Sequence, residues 1–147
     1  MKKIIFAGGL VISLAAYSSA QKNEMEKKDC EIPAIVESAF KKHHSDITDV
    51  DWEKEGSNYE ASFKAGKTET SVVIDPGGQI LETETEMKTS TLPKNIQDYI
   101  AAHYNGQKIK EAAKIVLGDG SVQYEAEVNK KDLIFDNKGK FIKETGN

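Results

Sequence analysis

The sequence predicts an α+β protein made of two tandem copies of one unit, in which a helix precedes a meander of about four antiparallel strands. Two observations indicate this fold class. Shifting the chain by about 60 residues aligns it with itself: YEASF at 59–63 matches YEAEV at 124–128, and VVIDPGGQIL at 72–81 matches LIFDNKGKFI at 133–142. Within each copy, apolar residues first recur at helical spacing and then alternate with polar residues, which is typical of half-buried strands.

Each copy begins with a proline, Pro33 or Pro93, in the first turn of its predicted helix, where a missing N–H costs nothing. The predicted apolar stripes are Val36, Ala39, Phe40 and His43 in the first helix, and Ile96, Tyr99, Ile100 and His103 in the second. Because His43 and His103 occupy equivalent places, a packing role is favoured over metal ligation, and His44 is expected to be exposed. Helices this short need a sheet to pack against.

The strands follow from a period of two residues. Alternation predicts that Trp52, Tyr59 and Tyr124 lie in the core between sheet and helices, with a role as partner-binding anchors as the alternative. The repeated phrase is the last hairpin of each unit, and it has Asp first and Gly fourth in its turn, at 75–78 and 136–139. This pattern is typical of a type I turn closed by a bulge.

The N-terminus predicts export. A short basic start, an apolar run and Ser-Ser-Ala at 18–20 form the layout of a cleaved signal peptide, residues 1–20. A flexible leader is expected at 21–31, the first repeat at 32–88 and the second at 89–147, with 32–147 as one compact unit. Cys30 is the single cysteine, so no internal disulfide forms, and an unpaired thiol is favoured over an intermolecular disulfide.

Composition and motifs exclude several classes of function. Loss of two lysines with the signal peptide moves the formal net charge from −4 to −6, and the chain has no arginine, so a nucleic-acid partner is excluded. No catalytic or metal-binding motif is present. The sequence therefore predicts a protein that is not an enzyme, has no catalytic residues or cofactor, and has no transmembrane segment after cleavage.

The candidate site is a set of acidic residues predicted to share the sheet face that the helices leave open. Leu81, Thr83 and Thr85 are expected to face the helices, which directs the intervening glutamates to the other side. The predicted partner-binding residues are Asp51, Glu53, Glu60, Glu82, Glu84, Glu86, Glu125 and Glu127. An ordinary solvated face, a surface for a basic protein and weak calcium binding at Glu82, Glu84 and Glu86 all remain open.

The doubled pattern of proline-led helix, Tyr-x-Ala-x-Phe/Val strand and apolar-Asp-x-x-Gly-x-apolar hairpin resembles the PepSY-like, β-lactamase-inhibitor-like proteins of two-membrane bacteria, over residues 32–145. The resemblance implies one curved antiparallel sheet with both helices packed on one face, and a periplasmic location. It also implies a non-enzymatic module that binds a protein partner in the cell envelope through the open face. A calcium-responsive periplasmic protein is the alternative.

Overall fold

The computed structural model describes residues 31–146; residues 1–30, with the predicted signal peptide, most of the leader and Cys30, lie outside the described residues, as does Asn147. The first unit comprises α1 (Ala34–His43), β1 (Val50–Glu55), β2 (Asn58–Ala65), β3 (Thr68–Ile74) and β4 (Ile80–Glu86). A 3₁₀ turn (Thr89–Thr91) leads to the second unit, which comprises α2 (Lys94–His103), β5 (Ile109–Leu117), β6 (Val122–Val128), β7 (Lys131–Asp136) and β8 (Phe141–Thr145).

All eight strands form one antiparallel sheet in which every strand pairs with its neighbour in sequence. The two units are joined at β4 and β5, where the register runs from Glu82 opposite Leu117 to Glu86 opposite Ala113. Ladder hydrogen bonds therefore continue across the boundary between the repeats. The predicted fold class is confirmed, and no helix in residues 31–146 is long and apolar enough to cross a membrane.

Both helices pack on the same face of this sheet, each over its own strands. Directly opposed residues share a face, and such pairs lead across the sheet from the first core to the second through Phe63, Thr70, Thr85, Lys114, Tyr124 and Phe135. The first core contains Val36, Phe40, Tyr59, Ala61, Phe63, Val72 and Ile74. The second contains Leu92, Ile96, Ile100, Ala112, Ala126, Val128, Leu133 and Phe135.

The aromatic residues named from the sequence are part of this packing. Trp52 meets Phe40 edge-to-face at a ring-centroid distance of 5.4 Å, and Phe40 meets Phe63 at 5.3 Å. Tyr59 is buried in the first core, and Tyr124 packs partly buried against the second. The core interpretation of these residues is confirmed.

The repeated hairpin has the predicted turn. The Gly78 N–H donates to the Asp75 carbonyl at 3.0 Å, and the Gly139 N–H donates to the Asp136 carbonyl at 2.9 Å. Each aspartate Oδ1 also accepts two backbone N–H groups of its own turn, at 2.8 and 2.9 Å. Gly78 and Gly139 have φ of +83° and +74°, the left-handed conformation that the pattern requires.

Four details of the sequence prediction were wrong. Pro33 and Pro93 precede the helices as N-caps rather than lying in the first turn. His43 is exposed, whereas His44 stacks on Phe40 at a centroid distance of 5.0 Å and contacts Phe63 in a tilted arrangement at 4.8 Å. The cause is the end of α1 at His43, since the extended φ of −134° at His44 turns its ring back over the core.

The fourth wrong detail is the expectation that Leu81 faces the helices. The pairing of β3 with β4 shifts between Val73, which lies opposite Glu82, and Ile74, which lies opposite Ile80. Leu81 is the extra residue of this bulge and has no partner on β3, so simple alternation does not extend to it. Its carbonyl instead accepts the Gly118 N–H of the β5–β6 turn at 2.6 Å.

Candidate functional site

The eight predicted site residues all lie on the face opposite the helices, which we call the acid face. Ala61 of the first core and Ala126 of the second face the helices, so Glu60, Glu125 and Glu127 beside them point the other way. Directly opposed residues share a face, so the strand pairing assigns residues of the other strands to this side as well. Glu53 lies opposite Glu60, and Ala113 lies opposite Glu125. The full set is Asp51, Glu53, Glu60, Glu82, Glu84, Glu86, Glu125 and Glu127.

The sheet curls toward the acid face. Glu82 on β4 interacts electrostatically with Glu55 on β1 and with Lys143 on β8. Glu84, Ser71 and Ile115 at the middle of this face are buried although no helix packs on it, as expected where a sheet curls toward that face. The curl therefore draws carboxylates of distant strands toward a common centre.

That centre is buried although no helix packs on this side. Glu84 and Ser71 are each 1% exposed, and Glu60 is 7% exposed. Four apolar side chains of the same face, Val73, Ala113, Ile115 and Ile134, are also buried. We call Glu60, Ser71, Glu84 and Glu125 the acid-face centre, and the other predicted residues, Asp51, Glu53, Glu82, Glu86 and Glu127, the rim.

Register explains how these groups meet. Glu84 lies directly opposite Ser71 on β3 and Ile115 on β5, and Glu125 lies opposite Ile134 on β7. Glu60 on β2 lies opposite Val73, which in turn lies opposite Glu82. Polar and apolar side chains thus alternate across the centre, and each carboxyl borders aliphatic groups that exclude water.

The acid-face centre contains buried oxygens without hydrogen-bond partners. Within the part of the chain that the structure describes, Glu60 Oε1, Ser71 Oγ and Glu84 Oε2 are buried and have no hydrogen-bond partner. An unsatisfied buried polar atom costs about 1 to 3 kcal/mol. In residues 31–146, no group of three or more His, Cys, Asp or Glu side chains is arranged to hold a metal ion.

Burial and mutual repulsion favour the protonated form of these carboxyls. Burial, and after it the charges of Glu125, Glu82, Glu60 and Asp132, together raise the pKa of Glu84 to about 9. Burial raises the pKa of Glu60 to about 7, opposed by the nearby Ser71 hydroxyl and supported by the charges of Glu55, Glu53 and Glu82. Glu84 is therefore a neutral carboxylic acid at pH 7.

The remaining acids follow the same trend. Burial raises the pKa of Glu125 to about 7, and the charges of Asp132, Glu82, Glu127 and Glu111 add to this effect. Burial also raises the pKa values of Glu82 and Asp132. The face is thus a graded site, with protonated carboxyls in its middle and rim residues such as Glu53 and Glu86 exposed at its border.

A second concave feature lies on the helix side, between the two units. It is a cleft of about 340 Å³ whose walls include Lys42 and His43 at the end of α1 and Val116 on β5. None of the predicted site residues lines it. The cleft arises because α1 and α2 cover the outer strands and leave the join between β4 and β5 less covered.

Sequence reasoning missed the buried character of the acid-face centre and the residues that enclose it. A signal was present: Val72-Val73-Ile74 and Leu133-Ile134-Phe135 are continuous apolar runs, and all six residues are buried. Uninterrupted apolar runs are typical of strands buried on both faces. The alternation seen in β1 and β2 led to an interpretation of the whole face as open.

Solved structures share this fold. A DUF2874 family protein from Bacteroides uniformis aligns with a TM-score of 0.69 at 22% identity, over 78% of this chain and 88% of that one. A Bacteroides eggerthii protein named as one of the "putative periplasmic proteins" gives 0.70 at 17%, over 78% and 88%. A BLIP-like protein from Bacteroides fragilis gives 0.63 at 24%, over 76% and 84%. At these identities the likeness shows the fold alone.

Sequence comparison identifies the family. No protein of curated function shows significant similarity to this chain. A family model matches two overlapping segments, residues 19–82 and 57–143, and so includes both helix-plus-meander units. The predicted resemblance and the tandem repeat are confirmed: the chain belongs to the family described as "Putative beta-lactamase-inhibitor-like, PepSY-like".

Proposed function

We propose that this protein is a non-enzymatic binding module of the periplasm, which binds a positively charged protein partner through the acid face. The observation that carries the proposal is the concentration of carboxyls on one sheet face, while the helices cover the other. The predicted signal peptide and the Bacteroides eggerthii neighbour named periplasmic support the location. The family description supports an inhibitor-like module rather than an enzyme.

The rim is suited to the first encounter with such a partner. Glu53 and Glu86 are exposed, and Asp51, Glu82 and Glu127 are half-buried. Lysines on this side lie at the border, where Lys64 contacts Glu69 at 3.6 Å and Lys110 contacts Glu127 at 3.7 Å. A field of one sign on one face steers an oppositely charged partner, and this steering weakens as salt rises.

The role of the rim in binding is tested with two double variants, one that reverses two charges on the acid face and one that reverses two charges on the helix face. Glu53→Lys with Glu86→Lys reverses two exposed acids of the acid face, and Glu37→Lys with Asp98→Lys makes the same change on α1 and α2. We expect periplasmic extract to yield a partner whose affinity falls about tenfold in the acid-face variant, since exposed pairs contribute about 0.2 to 1 kcal/mol each. Binding is measured by immobilised capture followed by titration.

The helix-face variant has the same net charge, so it separates a local contact from a general charge effect. Equal retention of the partner by both variants would contradict the proposal, as would loss of the partner in the helix-face variant alone. Raising the salt concentration from 50 to 300 mM should weaken the wild-type complex more than the acid-face variant's complex.

Response to a divalent cation is the second candidate function, favoured by the unpartnered oxygens of Glu60, Ser71 and Glu84. Oxygen ligands of this kind suit calcium. If calcium enters, 10 mM calcium chloride should raise the melting temperature by about 3 to 5 °C relative to sodium chloride of equal ionic strength, as expected for a ligand at about ten times its Kd. The shift should be lost in a variant with Glu82, Glu84 and Glu86 all changed to Gln.

A further inference from the structure

The acid-face centre places a demand on its ligand beyond opposite charge, because it contains oxygens that lack hydrogen-bond partners. Three buried oxygens without partners lie on three adjacent strands, Glu60 Oε1 on β2, Ser71 Oγ on β3 and Glu84 Oε2 on β4. Each of these oxygens can accept a hydrogen bond, and no described lysine forms an ion pair with Glu60 or Glu84. A ligand that brings several hydrogen-bond donors and a positive charge would satisfy the oxygens and match the surrounding carboxyls.

The described side chains give no sign of a metal site: in residues 31–146, no group of three or more His, Cys, Asp or Glu could hold a metal ion. A planar cation whose donors point in several directions can instead contact oxygens on neighbouring strands.

A guanidinium group meets these conditions. It carries five N–H donors in a fixed plane, stays charged at all relevant pH values and is more weakly hydrated than an ammonium group. Weak hydration matters here because Val73 and Ile115 border the centre and keep it poor in water. The chain itself contains no arginine, so the donor must come from another molecule.

We propose that the acid-face centre is a receptor for one arginine side chain of the protein partner. The inference rests on the proposed function, because it names what that partner inserts once the rim has bound it. The partner reaches this centre past Glu82 and Glu125, which interact electrostatically with Glu84 and are only half-buried. These two carboxylates attract the guanidinium, and Glu60, Ser71 and Glu84 accept its hydrogen bonds.

The probe for this site is Nα-acetyl-arginine N-methylamide, titrated into the ¹⁵N-labelled protein at pH 8. The citrulline analogue has the same shape without charge, and the lysine analogue has charge without the planar donor set. We expect the arginine probe to shift amide resonances of β2, β3 and β4, to bind at least fivefold more tightly than the lysine probe, and the citrulline probe not to bind.

Variants on opposite faces of the sheet provide the control. A bound guanidinium favours the ionised form of Glu84, so Glu84→Gln should weaken the arginine probe at least tenfold. Glu37→Gln, at an exposed position on α1, should leave it unchanged. Ser71→Ala removes one acceptor with a small side chain and should weaken it severalfold, which keeps the test valid if Glu84→Gln folds poorly. Equal binding of the lysine probe, or an unchanged affinity in both centre variants, would overturn the proposal.

The outcomes separate this inference from the proposed function. If the acid-face variant, Glu53→Lys with Glu86→Lys, loses the captured partner but the arginine probe does not bind at the centre, the acid face still binds protein and only the arginine receptor is wrong. If the acid-face variant keeps the partner, the proposed function itself is wrong, whether or not the probe binds.

Discussion

The folded protein should lose about 2 kcal/mol of stability between pH 7 and pH 9, and Glu84→Gln should remove most of this loss. Most proteins with salt-bridged carboxylates behave differently, because their acids lose protons more readily when folded. Here the cause is Glu84, whose pKa is raised by burial to about 9. Urea unfolding monitored by circular dichroism at several pH values measures the slope.

The direction of this pH dependence follows from the number of protons that the folded and unfolded states bind. A raised pKa means that the folded state holds the Glu84 proton at a pH where the unfolded chain, with a carboxyl pKa near 4.3, has released it. Because the folded state binds more protons, the free energy of unfolding falls as pH rises, by up to about 1.4 kcal/mol per pH unit for one proton. Stability falls across the pH range from the pKa of Glu84 in the unfolded chain to its folded pKa of about 9.

Other groups contribute mainly below pH 7. Glu60 and Glu125, with pKa values raised by burial to about 7, steepen the fall between pH 5 and pH 7. His44 opposes them, because burial lowers its pKa and stability therefore rises with pH up to about its unfolded pKa of 6.5. Above about pH 8 Glu60 and Glu125 have lost their protons, so Glu84 dominates the slope there.

The matched control is Glu86→Gln, which removes an exposed carboxyl from the same strand and face. This variant should keep the wild-type slope, whereas Glu84→Gln should become more stable than the wild type at pH 9. A wild-type stability that is flat or rising between pH 7 and pH 9 would contradict the ionisation assigned to Glu84. If Glu84→Gln keeps the wild-type slope, the fall in stability is caused by another group.

Phe135→Ala in the second core should also shift the unfolding of the first. Phe135 is fully buried and packs edge-to-face with Tyr99 and Phe141 at centroid distances of 5.5 and 5.8 Å. Truncation of a core phenylalanine costs about 3 to 5 kcal/mol. At a urea slope of about 1 to 3 kcal/mol per molar, the midpoint falls by about 2 M.

Trp52, the single tryptophan, makes this a test of continuity between the repeats. It lies in the first core, so its fluorescence should follow the lowered midpoint if the β4–β5 ladder couples both units into one cooperative domain. Ile142→Ala, at an exposed position on β8, should change the free energy of unfolding by less than about 0.5 kcal/mol. A Trp52 transition that stays at the wild-type midpoint while circular dichroism detects an earlier one would indicate two independent units.

The architecture could be predicted because its signals are local and doubled. The Asp and Gly of each hairpin turn, and the helical stripes that include Phe40 and Ile100, each depend on a few neighbouring residues. Their recurrence after about 60 residues identifies the repeat. The details that failed, such as His44 and Leu81, depend on the exact end of a helix and on a bulge. Periodicity does not determine either.

The acid face was predicted in position but not in character. Alternation assigns Glu60, Glu84 and Glu125 to one face, because a strand has only two. It does not say whether that face curls, and the curl is what buries Glu84 and brings β8 near β4. Their role in binding stays a prediction, and so does calcium binding at Glu82, Glu84 and Glu86.

Glu84 is a buried carboxyl, protonated at neutral pH, at the middle of the acid face. The most direct test is a ¹³C carboxyl titration of the purified protein, with the Glu84 resonance assigned from Glu84→Gln. The structure predicts a Glu84 midpoint of about 9. A Glu84 midpoint near 4.3, the value of an unperturbed glutamate, would contradict the claim.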